Sequence, residues 1–344
     1  SRMADPGTPE GKAWLKERSP LSSADKIKTP LFVIQGANDP RVNKAEAEQI
    51  VIALRDRKFP VEYMLAPDEG HGFARPVNNK AMFMAIEKFL AKHLDGRYQE
   101  GGTPEVEARM KEIMVDPATV KLAPKVDASA STFPKAAAGL TPGTYKYQAK
   151  ISMAGQEIPI QMSTSIAVEG DTYVATDAMQ TPMGAVSDVA TLDNKTLRLI
   201  KRSVKQGPVV IEVAYDAAKA TGKMAMNGQE RPIDVATGGE LYADAAGAHH
   251  AVGALPLAAG YKATYRNFDL QKQKPKLMQL EVAGTENVTV PAGAFECYKV
   301  EISSADGGAD KSTLWIDKAS RKPVKMSAVM PSMNGATMVS ELLP

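Results

Sequence analysis

Leu31-Phe32-Val33-Ile34-Gln35-Gly36-Ala37-Asn38-Asp39-Pro40-Arg41-Val42 and, one helical stretch later, Val61-Glu62-Tyr63-Met64-Leu65-Ala66-Pro67-Asp68-Glu69-Gly70-His71-Gly72-Phe73 decide the fold of the first part of this chain. Each opens as a short apolar run, which reads as a strand buried on both faces in a parallel sheet. Between them Asn43 can cap a helix with Glu46 three residues on, and Ala47, Ile50, Val51 and Leu54 recur at helical spacing. In open α/β sheets the loops after the carboxyl ends of the strands carry ligands and chemistry. Asp39 and His71 occupy two such loops. An acid followed by a histidine is the second half of a Ser…Asp…His arrangement. Taken singly, Asp39 before a proline also reads as a turn aspartate, and His71 as a residue tolerating an unusual backbone between two glycines.

Residues 19 to 94 resemble the last part of the catalytic domain of the prolyl oligopeptidase family, an α/β-hydrolase group of serine peptidases. Ser19-Pro20-Leu21, Ile27-Lys28-Thr29-Pro30-Leu31, Gly36-Ala37-Asn38-Asp39-Pro40-Arg41-Val42 and Asp68-Glu69-Gly70-His71-Gly72-Phe73 carry the resemblance. It implies that Asp39 orients a histidine and that His71 is the general base. Arg41 stays open between a substrate contact and an ordinary salt bridge.

The nucleophile of that pattern is missing. It should precede the acid, on a Gly-x-Ser-x-Gly elbow. Ser1, Ser19, Ser22 and Ser23 are the serines before Asp39, and none has glycine two residues away on both sides. The expectation is a C-terminal piece of a larger enzyme, with its serine upstream of Ser1, inert alone.

Further along, Met82, Phe83, Ile86, Phe89, Leu90 and Leu94 suggest the buried face of a helix starting at Asn78 or Asn79. Thr103-Pro104-Glu105 opens another, with Val106, Met110, Ile113 and Met114 on one side. Residues 116–142 are rich in Ala, Ser, Lys and Pro and read as an extended, mobile tether. From Gly143 the period becomes two: Tyr145, Tyr147, Ala149, Ile151 and Met153 alternate with polar residues, as do Ile158 to Val168, Val209 to Tyr215, Met278 to Val282 and Tyr298 to Ile302. With Asn227-Gly228, Ala305-Asp306-Gly307-Gly308 and Asn334-Gly335 as turns, roughly ten strands form an antiparallel sandwich or barrel. Glu240 to Ala259, rich in alanine, is expected to place a helix at its mouth or edge.

Leu255-Pro256-Leu257, Val288-Thr289-Val290-Pro291-Ala292-Gly293-Ala294-Phe295 and Leu314-Trp315-Ile316-Asp317 resemble an uncharacterised, lipocalin-like β-barrel family of bacterial envelope proteins. That resemblance implies an architecture and an apolar cavity, with a periplasmic or secreted location, and no reaction.

Composition narrows the remaining classes. A net charge of +2 over 344 residues, with both signs interspersed, gives no polyanion-binding signal. No apolar run has the length of a membrane-crossing helix. Cys297 is the single cysteine, which excludes an internal disulfide and a cysteine-based metal site, and it reads as a small core residue. His249-His250 is a poor metal signal, because adjacent helical residues point to different faces and only Asp244 is near in sequence. Met179, Met183, Met224, Met226, Met326 and Met330 read as core filler or as the lining of an adaptable pocket.

The reading is α/β plus all-β. Residues 1–115 form the end of an α/β-hydrolase, 116–142 a linker, and 143–344 an antiparallel barrel. Asp39 and His71 are the candidate catalytic residues, and no cofactor or metal is implied. The function is peptide-bond hydrolysis in the intact enzyme. The alternatives are an esterase of the same fold, or a non-enzymatic barrel that binds an apolar ligand or an envelope partner.

Overall fold

The two apolar runs pair as neighbouring parallel strands, β1 (Leu31–Gly36) and β2 (Val61–Ala66), with Leu31 opposite Val61 and Gly36 opposite Ala66. The computed structural model describes residues 4–5, 7–122, 131–181, 184–270, 272–330, 333 and 335–344. The chain divides into two compact units, one dominated by residues 1–124 and the other by residues 125–344.

In the first unit a two-residue strand, β3 (Met114–Val115), pairs antiparallel with β2. The strand residues alternate between two helical layers. Phe32, Ile34, Met64 and Ala66 pack with α3 (Pro76–Leu94) and α4 (Pro104–Ile113), while Val33, Val61, Tyr63 and Leu65 pack with α2 (Lys44–Asp56) and Val120. Asn43 caps α2 as expected, its side chain accepting from the Ala45 N–H. Thr8 does the same for α1 (Pro9–Arg18), and Thr103 for α4. Each cap satisfies a backbone donor that the helix leaves over.

Two expectations need correcting. Helix α3 begins at Pro76 and buries Asn78, Ala81, Met84 and Ala85, so Phe83 is 54% exposed and Leu94 72%. Ala81 and Ala85 let the helix approach Met64 and Ala66 closely with Met84 beside them, and that orientation turns Phe83 and Leu94 outward. The expected tether is anchored at both ends of the part that is described. Val120 is buried against Val51 and Tyr63, and Arg55 donates to the carbonyls of Pro117 and Val120. Ala137 and Ala138 donate to Ala254 O, and Phe133 stacks edge-on against Tyr242. Residues 123–130 lie outside the described residues.

The second unit is an antiparallel sheet in which fourteen strands are described. The chain runs outward through β4 (Gly143–Met153), β5 (Gln156–Glu169), β6 (Thr172–Thr181), β7 (Gly184–Asp193), β8 (Leu199–Gln206), β9 (Val209–Tyr215), β10 (Lys219–Met226) and β11 (Gln229–Ala236). It then crosses through α5 (Ala248–Gly253) and returns through β12 (Lys262–Asp269), β13 (Lys274–Val290), β14 (Gly293–Ser304), β15 (Lys311–Asp317), β16 (Pro323–Met330) and β17 (Ala336–Leu342). Strand β17 pairs with β4, so the first and last strands of the unit meet in mid-sheet. Residues 241–242 bridge the two arms, with Leu199 N donating to Leu241 O and Tyr242 N to Arg266 O, both at 3.1 Å.

The period-two reading holds where one face is buried. Tyr145, Tyr147, Ala149 and Ile151 are buried on β4, as are Ile211, Val213 and Tyr215 on β9. Each large side chain of this kind contributes roughly 1.5–3 kcal/mol through burial. The Asn227-Gly228 turn has the two positive φ values of a tight hairpin. Ala154-Gly155 does too, although alanine gives no such signal in sequence. The alanine-rich insertion forms only the six-residue α5, because Ala243, Ala245 and Gly247 all adopt positive φ and break the helix before it starts.

Candidate active site

The loop after β1 and the loop after β2 lie side by side. A Cβ on Gly36 would stand 2.1 Å from the Gly70 carbonyl oxygen, so only glycine allows this approach. Asn38 ties the loops further, its N–H donating to Glu69 O and its Nδ2 to Pro67 O, both at 2.9 Å. This contact brings together two residues separated by a whole helix.

Asp39 Oδ2 and His71 Nδ1 are 2.8 Å apart. The other carboxylate oxygen, Oδ1, accepts from the N–H groups of Arg41 (2.8 Å) and Val42 (3.0 Å). Asp39 is therefore both the turn aspartate and the histidine's partner. Burial alone would raise its pKa, but the Val42 and Arg41 N–H groups and His71 outweigh that and hold the carboxyl below its usual range. Gln35 braces the loop, its Nε2 donating to Gly36 O (3.0 Å) and Val42 O (3.1 Å). His71 is 43% exposed and so stands at the surface, whereas Asp39 beneath it is buried. A carboxylate at Nδ1 fixes the tautomer with the proton on that nitrogen, which makes Nε2 the atom that accepts a proton. The Arg41 side chain is exposed, and its backbone N–H is what holds Asp39.

The second unit holds a polar cluster that sequence reading missed. Arg202 on β8 grips Asp188 on β7 through Nε (3.0 Å) and Nη2 (2.7 Å), and its Nη1 lies 3.6 Å from Asp244 Oδ1. Asp244 also accepts from the Phe268 N–H. Asp177 on β6 accepts from Thr164 Oγ1 (2.6 Å) and from the Gly247 N–H (3.3 Å). Burial pushes its pKa up to about 6 and the Asp188 charge adds to that, against the Thr164 and Gly247 hydrogen bonds and Arg202. Buried Tyr215, beside this cluster, has a hydroxyl with no partner among the described residues. The signal was present: Asp177 shares the inward parity of buried Ala175.

The remaining sequence candidates separate cleanly. His250 stacks on Tyr145 at 4.4 Å, with its Nε2 3.4 Å from the Tyr147 hydroxyl, and burial pushes its pKa down to about 3. No group of three or more metal-type ligands occurs among the described residues. Cys297 is fully buried, and burial raises its thiol to about 12, which suits a core residue. Met179, Met224 and Met226 share the sheet face of Asp177 and Arg202, Met326 is buried, Met330 is half-buried, and Met183 lies outside the described residues.

Residues 139–340 match the family model of a protein of unknown function, DUF3108. The chain belongs to the DUF3108 family. The DUF3108 unit is preceded by residues 2–97, which match the prolyl oligopeptidase family. Over 101 residues the chain is 59% identical to dipeptidyl aminopeptidase BIII of Pseudoxanthomonas mexicana, covering 29% of this chain and 15% of that protein. Over 119 residues it is 43% identical to dipeptidyl peptidase family member 6 of Caenorhabditis elegans, covering 34% and 16%. The chain thus spans about 15% of the length of these two relatives. Among solved structures, a β-barrel-like protein of domain of unknown function DUF1849 from Brucella abortus aligns with 60% of this chain and 97% of its own, at 11% identity and a TM-score of 0.42. No helix among the described residues is long and apolar enough to cross a membrane.

Proposed function

We propose that the first unit is the C-terminal part of the catalytic domain of a serine peptidase of the prolyl oligopeptidase type. In this reading Asp39 orients His71, and His71 Nε2 takes the proton of a serine that attacks a peptide carbonyl. The observation that carries the reading is the 2.8 Å contact between Asp39 Oδ2 and His71 Nδ1 at the carboxyl ends of adjacent parallel strands. The dipeptidyl peptidase names of the two relatives favour a peptidase over an esterase of the same fold. The nucleophile belongs to sequence outside these 344 residues, because no serine here stands on a Gly-x-Ser-x-Gly elbow. Strand β1 is paired on one side only among the described residues, and its half-exposed Leu31 to Ile34 offer the edge a further parallel strand would cover.

The test is to isolate the protein from its source, label it with a fluorophosphonate probe and map the modified peptide. The expected label falls on an elbow serine outside residues 1–344, and it disappears in His71→Ala. A label on a serine within these residues, or labelling indifferent to His71, overturns the assignment.

For the second unit a ligand-holding role is the reading that Met179, Met224 and Met226 favour, since they share one sheet face with the charged cluster. Native mass spectrometry of the whole chain should then find a bound small molecule that Asp177→Ala releases. A ligand-free spectrum sinks it.

A further inference from the structure

Glu69 belongs to the loop after β2, two residues before His71, and it is only 2% exposed. Its main-chain carbonyl accepts from Asn38 N, next to Asp39 in sequence. The side chain reaches the far side of His71: Oε2 accepts from Ala74 N at 2.9 Å, and Oε1 from Arg75 N at 2.9 Å and Asn78 Nδ2 at 2.7 Å. A buried carboxylate this well supplied with donors is held in place, and it holds the donors in turn. The segment carrying His71 is thereby closed into a ring from residue 69 to residue 75.

Asp68, Asn78 and Arg109 fix the ring to the helices. Asp68 accepts from Asn78 Nδ2 and from Arg109 Nη2, and pairs with Arg75 Nε at 3.1 Å. Arg109 Nε donates to Asn78 Oδ1 at 2.6 Å. Asn78 is fully buried on the inner face of α3. Gly70 and Gly72 bring no side chain to the segment and Gly72 sits at φ +99°, so beside the clamp its anchors are Phe73, packed on the α3 core, and Asn79 Nδ2, which donates to Phe73 O at 3.2 Å.

We propose that Glu69 is a positioning residue for His71, locking the 69–75 segment so that Nδ1 stays in register with Asp39. This rests on the reading of Asp39 and His71 as a working pair. The hydrogen bond from His71 to Asp39 forms without loss only if the loop is already fixed, because fixing it costs backbone entropy.

The test uses the whole 344-residue chain and the low-field NMR resonance of the His71 Nδ1 proton bonded to Asp39. The wild type should show it, and Asp39→Asn should abolish it. Glu69→Gln, which turns an amide toward N–H donors, should lose the resonance through exchange with water while the β-unit signals stay unchanged. Val51→Ala, a core truncation on the α2 side, should destabilise the same unit and keep it. A resonance unchanged in Glu69→Gln overturns the proposal. If that variant does not fold, Glu69→Asp serves, since it keeps the charge but withdraws it by one methylene, and an unchanged resonance there overturns the proposal equally. Loss in Val51→Ala as well would show general loosening and overturn it too. A wild type without the resonance would instead defeat the pair itself.

Discussion

The two units bury carboxylates in opposite ways. Asp39 is surrounded by donors, and its pKa sits below the ordinary value of 3.8. Asp177 receives two hydrogen bonds and, among the described residues, no ion pair of its own, and its pKa sits near 6. The first arrangement keeps a charge ready at the rim of a sheet. In the second, a charge is tolerated inside a β unit at a cost in stability. Burial does not by itself set a side chain's state; the donors around it do.

The hardest blow to this contrast should come from Arg202→Met. Arg202 is the cation that Asp188 and Asp244 share, and without it buried Asp244 and half-buried Asp188 both lose their cation. The expected loss is about 3–5 kcal/mol from the β unit, read by urea denaturation. A loss below about 1 kcal/mol would mean that the cluster is solvated and the contrast wrong.

Leu54→Ala should cost about 2–5 kcal/mol in the first unit, because Leu54 is fully buried on α2 and the truncation leaves a cavity. Fluorescence of Trp14 and Trp315, one in each unit, tells which unit has weakened.

The pH response separates the two carboxylates by sign. Asp177 has a raised pKa, so the stability it contributes is full below about 3.8 and is lost as pH rises through about 6. At neutral pH the penalty is on the order of 2–3 kcal/mol, and Asp177→Asn should remove it, so the variant's gain over wild type grows between pH 4 and 7, on top of the opposite slope that buried His249 and His250, pushed down to about 4 and about 3, give the same unit. Asp39 has a lowered pKa, so its contribution is present above 3.8 and lost as pH falls below that. Denaturation of each variant across this range checks both slopes. Differences from wild type of the same sign for Asp177→Asn and Asp39→Asn would break the comparison.

The smallest effect should come from Asn43→Ala. Losing the cap on the Ala45 N–H should cost about 1 kcal/mol of the first unit's stability and leave the β unit untouched.

Sequence made the site legible because its parts are local signals. Two apolar runs, a capped helix and two loop motifs fixed which residues end their strands, and parallel pairing of neighbouring strands then had to bring Asp39 near His71. The alternation from Gly143 was equally readable, since a strand with one buried face writes period two directly into the chain. What failed were judgements about which surface would be covered. Phe83 and Leu94 look like core and are exposed, while Asn78 and Ala81 look like surface and are buried, because the closeness of α3 to β2 depends on the partners it meets.

Spacing along one chain is enough for the strand–helix–strand order of the first unit, the order of acid and histidine, and the change from an α/β to an all-β pattern near Gly143. The tertiary structure alone decided that Glu69 clamps the histidine loop, that Val120 and Ala137 are anchored rather than free, and that Arg202 gathers Asp188 and Asp244. Those are meetings between residues far apart in sequence, and which donor reaches which buried carboxylate is fixed only when strands and helices close around it.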